Sequence, residues 1–149
     1  MQKFAQATMQ AGDETKYSHV TFGAENFKIG QRILWVRAAG RIVGFLVVDS
    51  TPKSGYWLPL TELMEALEDE DRCTGLGDRT EINQAGVAFM WVLRKHRGHG
   101  LGKALVHCAF KAFNGSWDNI AFKKPFTPDG ARLIHRIALQ DGRSGIWVY

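Results

Sequence analysis

The stretch from Gly86 to Phe113, GVAFMWVLRKHRGHGLGKALVHCAFKAF, most limits what this chain can become. Val87 to Leu93 is an unbroken apolar run of strand length, and the charged Arg94-Lys95-His96-Arg97 ends it. Such a run predicts a strand covered on both faces. Arg97-Gly98-His99-Gly100-Leu101-Gly102 follows. After it, Leu101, Leu105, Cys108 or Ala109, and Ala112 or Phe113 recur at helical spacing. The order is strand, glycine loop, helix. A glycine held in helical geometry costs about 0.5–1 kcal/mol against alanine, so three at a helix mouth need a reason. One reason is an anion approached by the backbone itself. Free N–H groups and the positive end of the helix dipole favour a phosphate there. Arg94, Lys95, Arg97 and Lys103 add side-chain charge beside it. A plain turn before an amphipathic helix would explain neither the preceding strand nor the basic cluster.

Bulk properties narrow the field less. A chain of 149 residues suits a single domain, 1–149, with one core. Its composition, 45% hydrophobic and 23% charged, is that of a globular protein. The net charge of +4 is compatible with an anionic cofactor, a nucleic acid or an acidic partner and does not choose among them. Nucleic-acid binding is disfavoured because the basic residues gather at one loop rather than along a face. Cys73 and Cys108 have neither metal nor redox spacing, so free thiols and no metal site are expected. No apolar run would span a bilayer and Met1-Gln2-Lys3-Phe4 opens no signal peptide, so a cytoplasmic location is expected, with no membrane partner.

The remaining segments predict a mixed α/β order. Residues 2–11 suggest a short helix and Tyr17 to Phe22 a first strand. Arg32 to Val36 and Ile42 to Asp49 read as an antiparallel hairpin turned by Ala38-Ala39-Gly40-Arg41, with Gly44 marking a bulge or a close backbone approach. Ser50 to Tyr56 reads as a loop, 59–69 as a helix started by Pro59, and 72–84 as a loop. The acidic run Glu68 to Asp71 reads as a solvated face. Asn114-Gly115-Ser116 should cap and turn the central helix, and Asn119 to Phe122 should be a strand. Thr127 and Pro128 are N-cap and first-turn chemistry for a helix over Leu133, Ile134, Ile137 and Ala138, which Gly142 ends before a strand at Ile146 to Tyr149.

The glycine spacing excludes a Walker loop and the dinucleotide fingerprint. Arg97-x-x-Gly100-x-Gly102 instead resembles the acyl-CoA diphosphate loop of the GNAT N-acetyltransferases. That resemblance implies a GNAT fold, a mixed and mostly antiparallel sheet flanked by helices. Further segments resemble the sister-chromatid cohesion (cohesin) acetyltransferases: Arg41 to Val47, Ala85 to Val92 with its tryptophan in register, Ile120-Ala121-Phe122, Thr127-Pro128-Asp129-Gly130 and Ile146 to Tyr149. There are departures. These 149 residues include no counterpart of the family's zinc finger, the family's helix Glu is His107, its Asp ahead of Thr127 is Lys124 with Phe126 inserted, and a strand Ser is Ala88.

The resemblance implies acetyl-CoA as co-substrate and an amine acceptor, foremost a protein lysine. A small-molecule or nucleobase amine and a non-catalytic acyl-CoA-binding module are the alternatives. It places the cofactor on Trp91, Val92, Leu93, Arg97, Gly98, His99, Gly100, Leu101, Gly102 and Lys103, with backbone donors from the splayed strand around Met90 to Leu93. A free lysine, of pKa about 10.4, costs roughly 4–5 kcal/mol to deprotonate at neutral pH, so a base or desolvation must help. His107 is the candidate base by its ordinary pKa, with a packing role as the competing explanation. Asp129 is the second catalytic candidate, although an acid in a first helical turn also suits the dipole. Tyr149 could serve as an acid, but packing competes there too.

Overall fold

A computed structural model describes residues 20–63, 80–83, 85–124 and 127–149, with backbone alone at 80–83. The expected helix over 2–11, the acidic run and most of the expected helix over 59–69 lie outside these residues. Among the described residues eight strands form one sheet in the order β1-β2-β3-β6-β7-β8-β4-β5. They are β1 Thr21–Lys28, β2 Gln31–Ala38, β3 Arg41–Asp49, β4 Lys53–Pro59, β5 Thr80–Asn83, β6 Ala85–Val92, β7 Ile120–Phe122 and β8 Gly145–Val148. The β6–β7 and β7–β8 pairings are parallel and the others antiparallel. Among the described residues three α-helices join them: α1 Leu60–Leu63, α2 Leu101–Ala112 and α3 Pro128–Gln140.

Local chemistry accounts for most boundaries. Ala39 and Gly40 both have positive φ, 51° and 76°, the pair that a two-residue turn between twisted strands requires. α2 ends with Asn114 at φ 48° and a Gly115 N–H that donates to the Phe110 carbonyl at 2.7 Å, so an asparagine fills the left-handed cap more common for glycine. Thr127 Oγ1 accepts from the Gly130 N–H at 3.0 Å and starts α3, with Pro128 in the first turn.

Three expectations need correction. The first strand begins at Thr21 and runs to Lys28, because the seven-residue pairing with β2 outweighs the weak alternation of TFGAENFK. Lys53 to Tyr56 is strand, not loop, because Tyr56 and the residues after it pair with β8, and Pro59 closes that strand rather than opening the helix. Thr80 to Asn83 is strand β5 at the sheet edge, not loop.

The core lies between the sheet and α2 with α3. An ideal Cβ on Gly44 would approach Leu105 Cδ1 of α2 at 3.4 Å and the Trp91 carbonyl at 3.2 Å, so Gly44 lets helix and strands close up. The β2–β3 register slips beside it, after Val36. Leu34, Val36, Leu46 and Val48 share that helix-facing side and are buried. Alternation puts Trp35, Phe45, Phe89 and Trp91 on the opposite side. There Phe45 stacks on Phe89 and tilts against Trp91, both at 5.6 Å, while Arg37 covers Trp35 at 4.6 Å. Cover on both faces of the apolar run of β6 therefore fails at Phe89. Phe89 is 52% exposed, because neither α2 nor α3 packs on its side.

Gly145 tests the packing where β8 meets β4. A Cβ there would lie 2.7 Å from the Leu58 carbonyl and 2.6 Å from the Trp57 ring. Gly145→Ala should destabilise the fold by about 1–3 kcal/mol, read as a lower urea midpoint at unchanged slope.

Candidate functional site

β6 and β7 pair over only three residues, Ala85 with Ile120, Gly86 with Ala121 and Val87 with Phe122. The Lys123 N–H then donates to the Val87 carbonyl at 2.9 Å, and β7 ends. β6 continues alone on that edge while its other edge stays with β3 as far as Val92. The Leu93 N–H reaches the Val43 carbonyl of β3 at 2.7 Å. Backbone groups alternate along a strand, so Trp91 and Phe89 also turn theirs to β3, while Met90 and Val92 turn theirs to the gap. The Val92 carbonyl fits this sense: it accepts from Arg97 Nε at 2.8 Å.

The gap widens into a cleft of about 590 Å³ between β6, the loop after it, the mouth of α2 and α3. Of the expected cofactor residues, Trp91, Val92, Arg97, Gly98, Gly100, Leu101, Gly102 and Lys103 line it; Leu93 and His99 do not. The Leu93 amide is taken by Val43, so the strand offers Met90 and Val92 instead.

The helix mouth differs from that of α3. Gly100 is the N-cap of α2, in left-handed geometry at φ 86°, and no side chain caps the helix. The first intrahelical bond runs from the Ala104 N–H to the Gly100 carbonyl at 3.0 Å. The amides of Leu101, Gly102 and Lys103 precede it and have no carbonyl one turn back to bond. Gly98 and Gly100 supply the positive-φ turn, at 80° and 86°. Gly102 has a different reason. Its Cβ would sit 2.8 Å from Leu133 Cδ2, so its absence lets α3 cross against the first turn of α2.

Charge in the cleft is strongly one-sided. Arg97, Lys103, Lys123, Arg132 and Arg136 line it, against the single carboxylate of Asp129 among the described lining residues. Asp129 bridges the cleft edge, with its Oδ2 3.0 Å from Arg97 Nη1 and its Oδ1 3.5 Å from Arg132 Nη1.

The two catalytic candidates separate. Asp129 lines the cleft but is engaged by two arginines. His107 does not line it. Its Nε2 lies 2.7 Å from Asp141 Oδ2, at the C-cap of α3. Trp117 Nε1 donates to the same oxygen at 2.9 Å, and Lys103 Nζ stands 3.7 Å from the other. His107 thus clamps α2 to the end of α3. Burial pushes the Asp141 carboxyl up, but the bonds from His107 and Trp117 outweigh it and hold the group below the usual carboxylate range. Tyr149 lies elsewhere, its ring against Gly86, with its hydroxyl pushed up by burial and by Asp49.

Sequence reasoning missed Asp141, Lys123, Arg132, Arg136 and Gln140. The α3 residues had a legible signal, since Arg132, Arg136 and Gln140 recur every four residues beside the buried stripe. Asp141 had none, because its partners lie 24 and 34 residues away.

The Asp141 clamp should appear in the pH dependence of stability. A depressed carboxyl contributes fully above its unfolded value of about 3.9 and loses that contribution as pH falls through the folded value. Asp141→Asn should therefore lower stability by about 1–2 kcal/mol at pH 7, with the difference from wild type closing below about pH 4. Urea titrations across pH measure it.

Comparison with known proteins agrees with this geometry. Residues 83–148 match the family model of the ESCO1/2 acetyl-transferases. No curated protein matches the sequence significantly. Among solved structures, the xEco2 acetyltransferase domain bound to a K105-CoA conjugate superposes with TM-score 0.57 at 18% identity, covering 99% of this chain and 83% of that one. The same domain in a second structure gives TM-score 0.56 at 19% identity, covering 99% and 81%. At such identities these superpositions establish the fold, and the family match covers the strand, loop and helices that build the cleft. The chain has the GNAT fold and resembles the cohesin acetyltransferases through those residues.

Proposed function

We propose that the protein transfers an acetyl group from acetyl-CoA to an amine, foremost the side chain of a protein lysine. The observation that carries this reading is the continuity of the cleft, which joins the uncapped mouth of α2 to the parted edge of β6. A diphosphate on the amides of residues 101–103 would set the pantetheine arm running along that edge. The Val92 or Met90 amide would then donate to the thioester oxygen as it gains charge. The amine nitrogen attacks the carbonyl carbon, the C–N bond forms, the C–S bond breaks, and coenzyme A leaves as a thiolate that takes up the proton the new amide nitrogen releases. The ammonium proton must depart before attack, and the apolar rings of Phe89 and Trp91 beside the gap favour the neutral amine by desolvation. The K105-CoA conjugate held by the xEco2 domain supports a coenzyme A ligand in this fold.

A second reading, a non-catalytic acyl-CoA-binding module, is favoured by the engagement of Asp129 with arginines and of His107 with Asp141. Transfer from labelled acetyl-CoA to lysine peptides, polyamines and DNA separates the readings. Product on peptides supports the first. Binding without turnover on any acceptor supports the second.

Gly100→Glu should abolish acetyl-CoA binding, by at least about 100-fold, because it puts a carboxylate at the mouth of α2. Calorimetric titration checks this, and unchanged affinity would remove the loop from the reading. His107→Asn should lower stability and leave the pH–rate profile of transfer unchanged. A lost basic limb in that variant would restore His107 as the base.

A further inference from the structure

We propose that the flank of α3 bearing Arg136, with Arg132 and Gln140, is a second phosphate subsite that reads the ribose 3′-phosphate of coenzyme A. This rests on the acetyl-CoA reading above and adds to it the discrimination of coenzyme A from its dephospho form.

The argument starts from spacing. Arg132, Arg136 and Gln140 stand four residues apart, so they form one stripe along α3, and all three line the cleft. The stripe starts beside Leu133, where α3 crosses against Gly102 in the first turn of α2. It therefore begins next to the open amides and leads away from the parted strands. A coenzyme A molecule with its diphosphate on those amides and its thioester in the gap sends its other end along this flank. That end carries a phosphomonoester on the sugar, with close to two negative charges at neutral pH.

The cations of the cleft are not equivalent. Arg97 is bound to the Val92 carbonyl and to Asp129, and Arg132 shares Asp129. Lys103 leans towards Asp141. Arg136 faces the cleft with no acidic partner among the described residues, and its exposed guanidinium can present a planar pair of donors to a phosphate. A diphosphate alone accounts for the loop and the helix mouth and leaves Arg136 and Gln140 without a purpose. A second phosphate one sugar away gives them one.

Titration of wild type, Arg136→Gln, Arg136→Lys and Lys111→Gln with coenzyme A and with dephospho-coenzyme A tests the subsite. Lys111 is exposed at the far end of α2 and controls for net charge. Wild type should bind coenzyme A about 10- to 100-fold more tightly than the dephospho form. Arg136→Gln should erase that ratio by weakening coenzyme A alone, Arg136→Lys should keep part of it, and Lys111→Gln should keep all of it. Equal affinities in wild type would overturn the subsite. So would an Arg136→Gln variant that weakens both ligands alike, since Arg136 would then touch the diphosphate. Failure of wild type to bind either ligand would overturn the acetyl-CoA reading itself.

Discussion

The structure turns on one unfinished pairing. β6 has a partner on both edges for three residues and on one edge for the rest. Backbone groups released from a ladder must find other partners, and here they border a cleft instead of another strand. The parting is possible because β7 is short and because Lys123 closes the last shared bond on the Val87 carbonyl. α2 leaves β6 through a turn that only glycines enter easily, and it starts without a side-chain cap. The open strand edge and the open helix mouth therefore meet in the same space. α3 shows the alternative in the same chain, where Thr127 closes the helix start in the ordinary way.

Rigidity around this opening comes from the helix pair. α2 is buried on nearly every side, against the sheet through Leu101 and Leu105 and against α3 through Gly102. Asp141 gathers His107, Trp117 and Lys103 at the distal end of that contact. Trp117 also packs edge-on against Phe110 at 5.0 Å and stacks on Phe122 at 5.6 Å, so the loop after α2 is locked to β7. The helix that presents the open amides is thus held far from the ligand end, and its mouth is left to chemistry.

Much of this was legible in the sequence where the signal is local. The unbroken apolar run, the glycines and the basic cluster placed β6, the turn and α2 in order, and Thr127-Pro128 placed the start of α3. The hairpin was legible from Ala39-Gly40. Strand β1 was not, because TFGAENFK lacks alternation and is held by pairing with β2. Nor was β4, whose place depends on β8, some ninety residues later in the chain. At the site, a place on the helix after the loop and the ordinary pKa of an imidazole suggested His107 as a base, but a helix position alone does not say which way the ring points. Its direction is set by Asp141, which only tertiary structure brings near. Gly102 was read as a concession to a ligand, and its neighbour Leu133 gives it a packing reason as well.

The contacts of Arg97 have a thermodynamic consequence. Its guanidinium occupies itself with the Val92 carbonyl and Asp129, so the cleft carries its own surrogate anion and acceptor. A ligand that recruits Arg97 exchanges one set of bonds for another instead of meeting a bare cation. Part of the attraction is cancelled in advance, which moderates affinity, and departure of the spent ligand is helped because the arginine has somewhere to return.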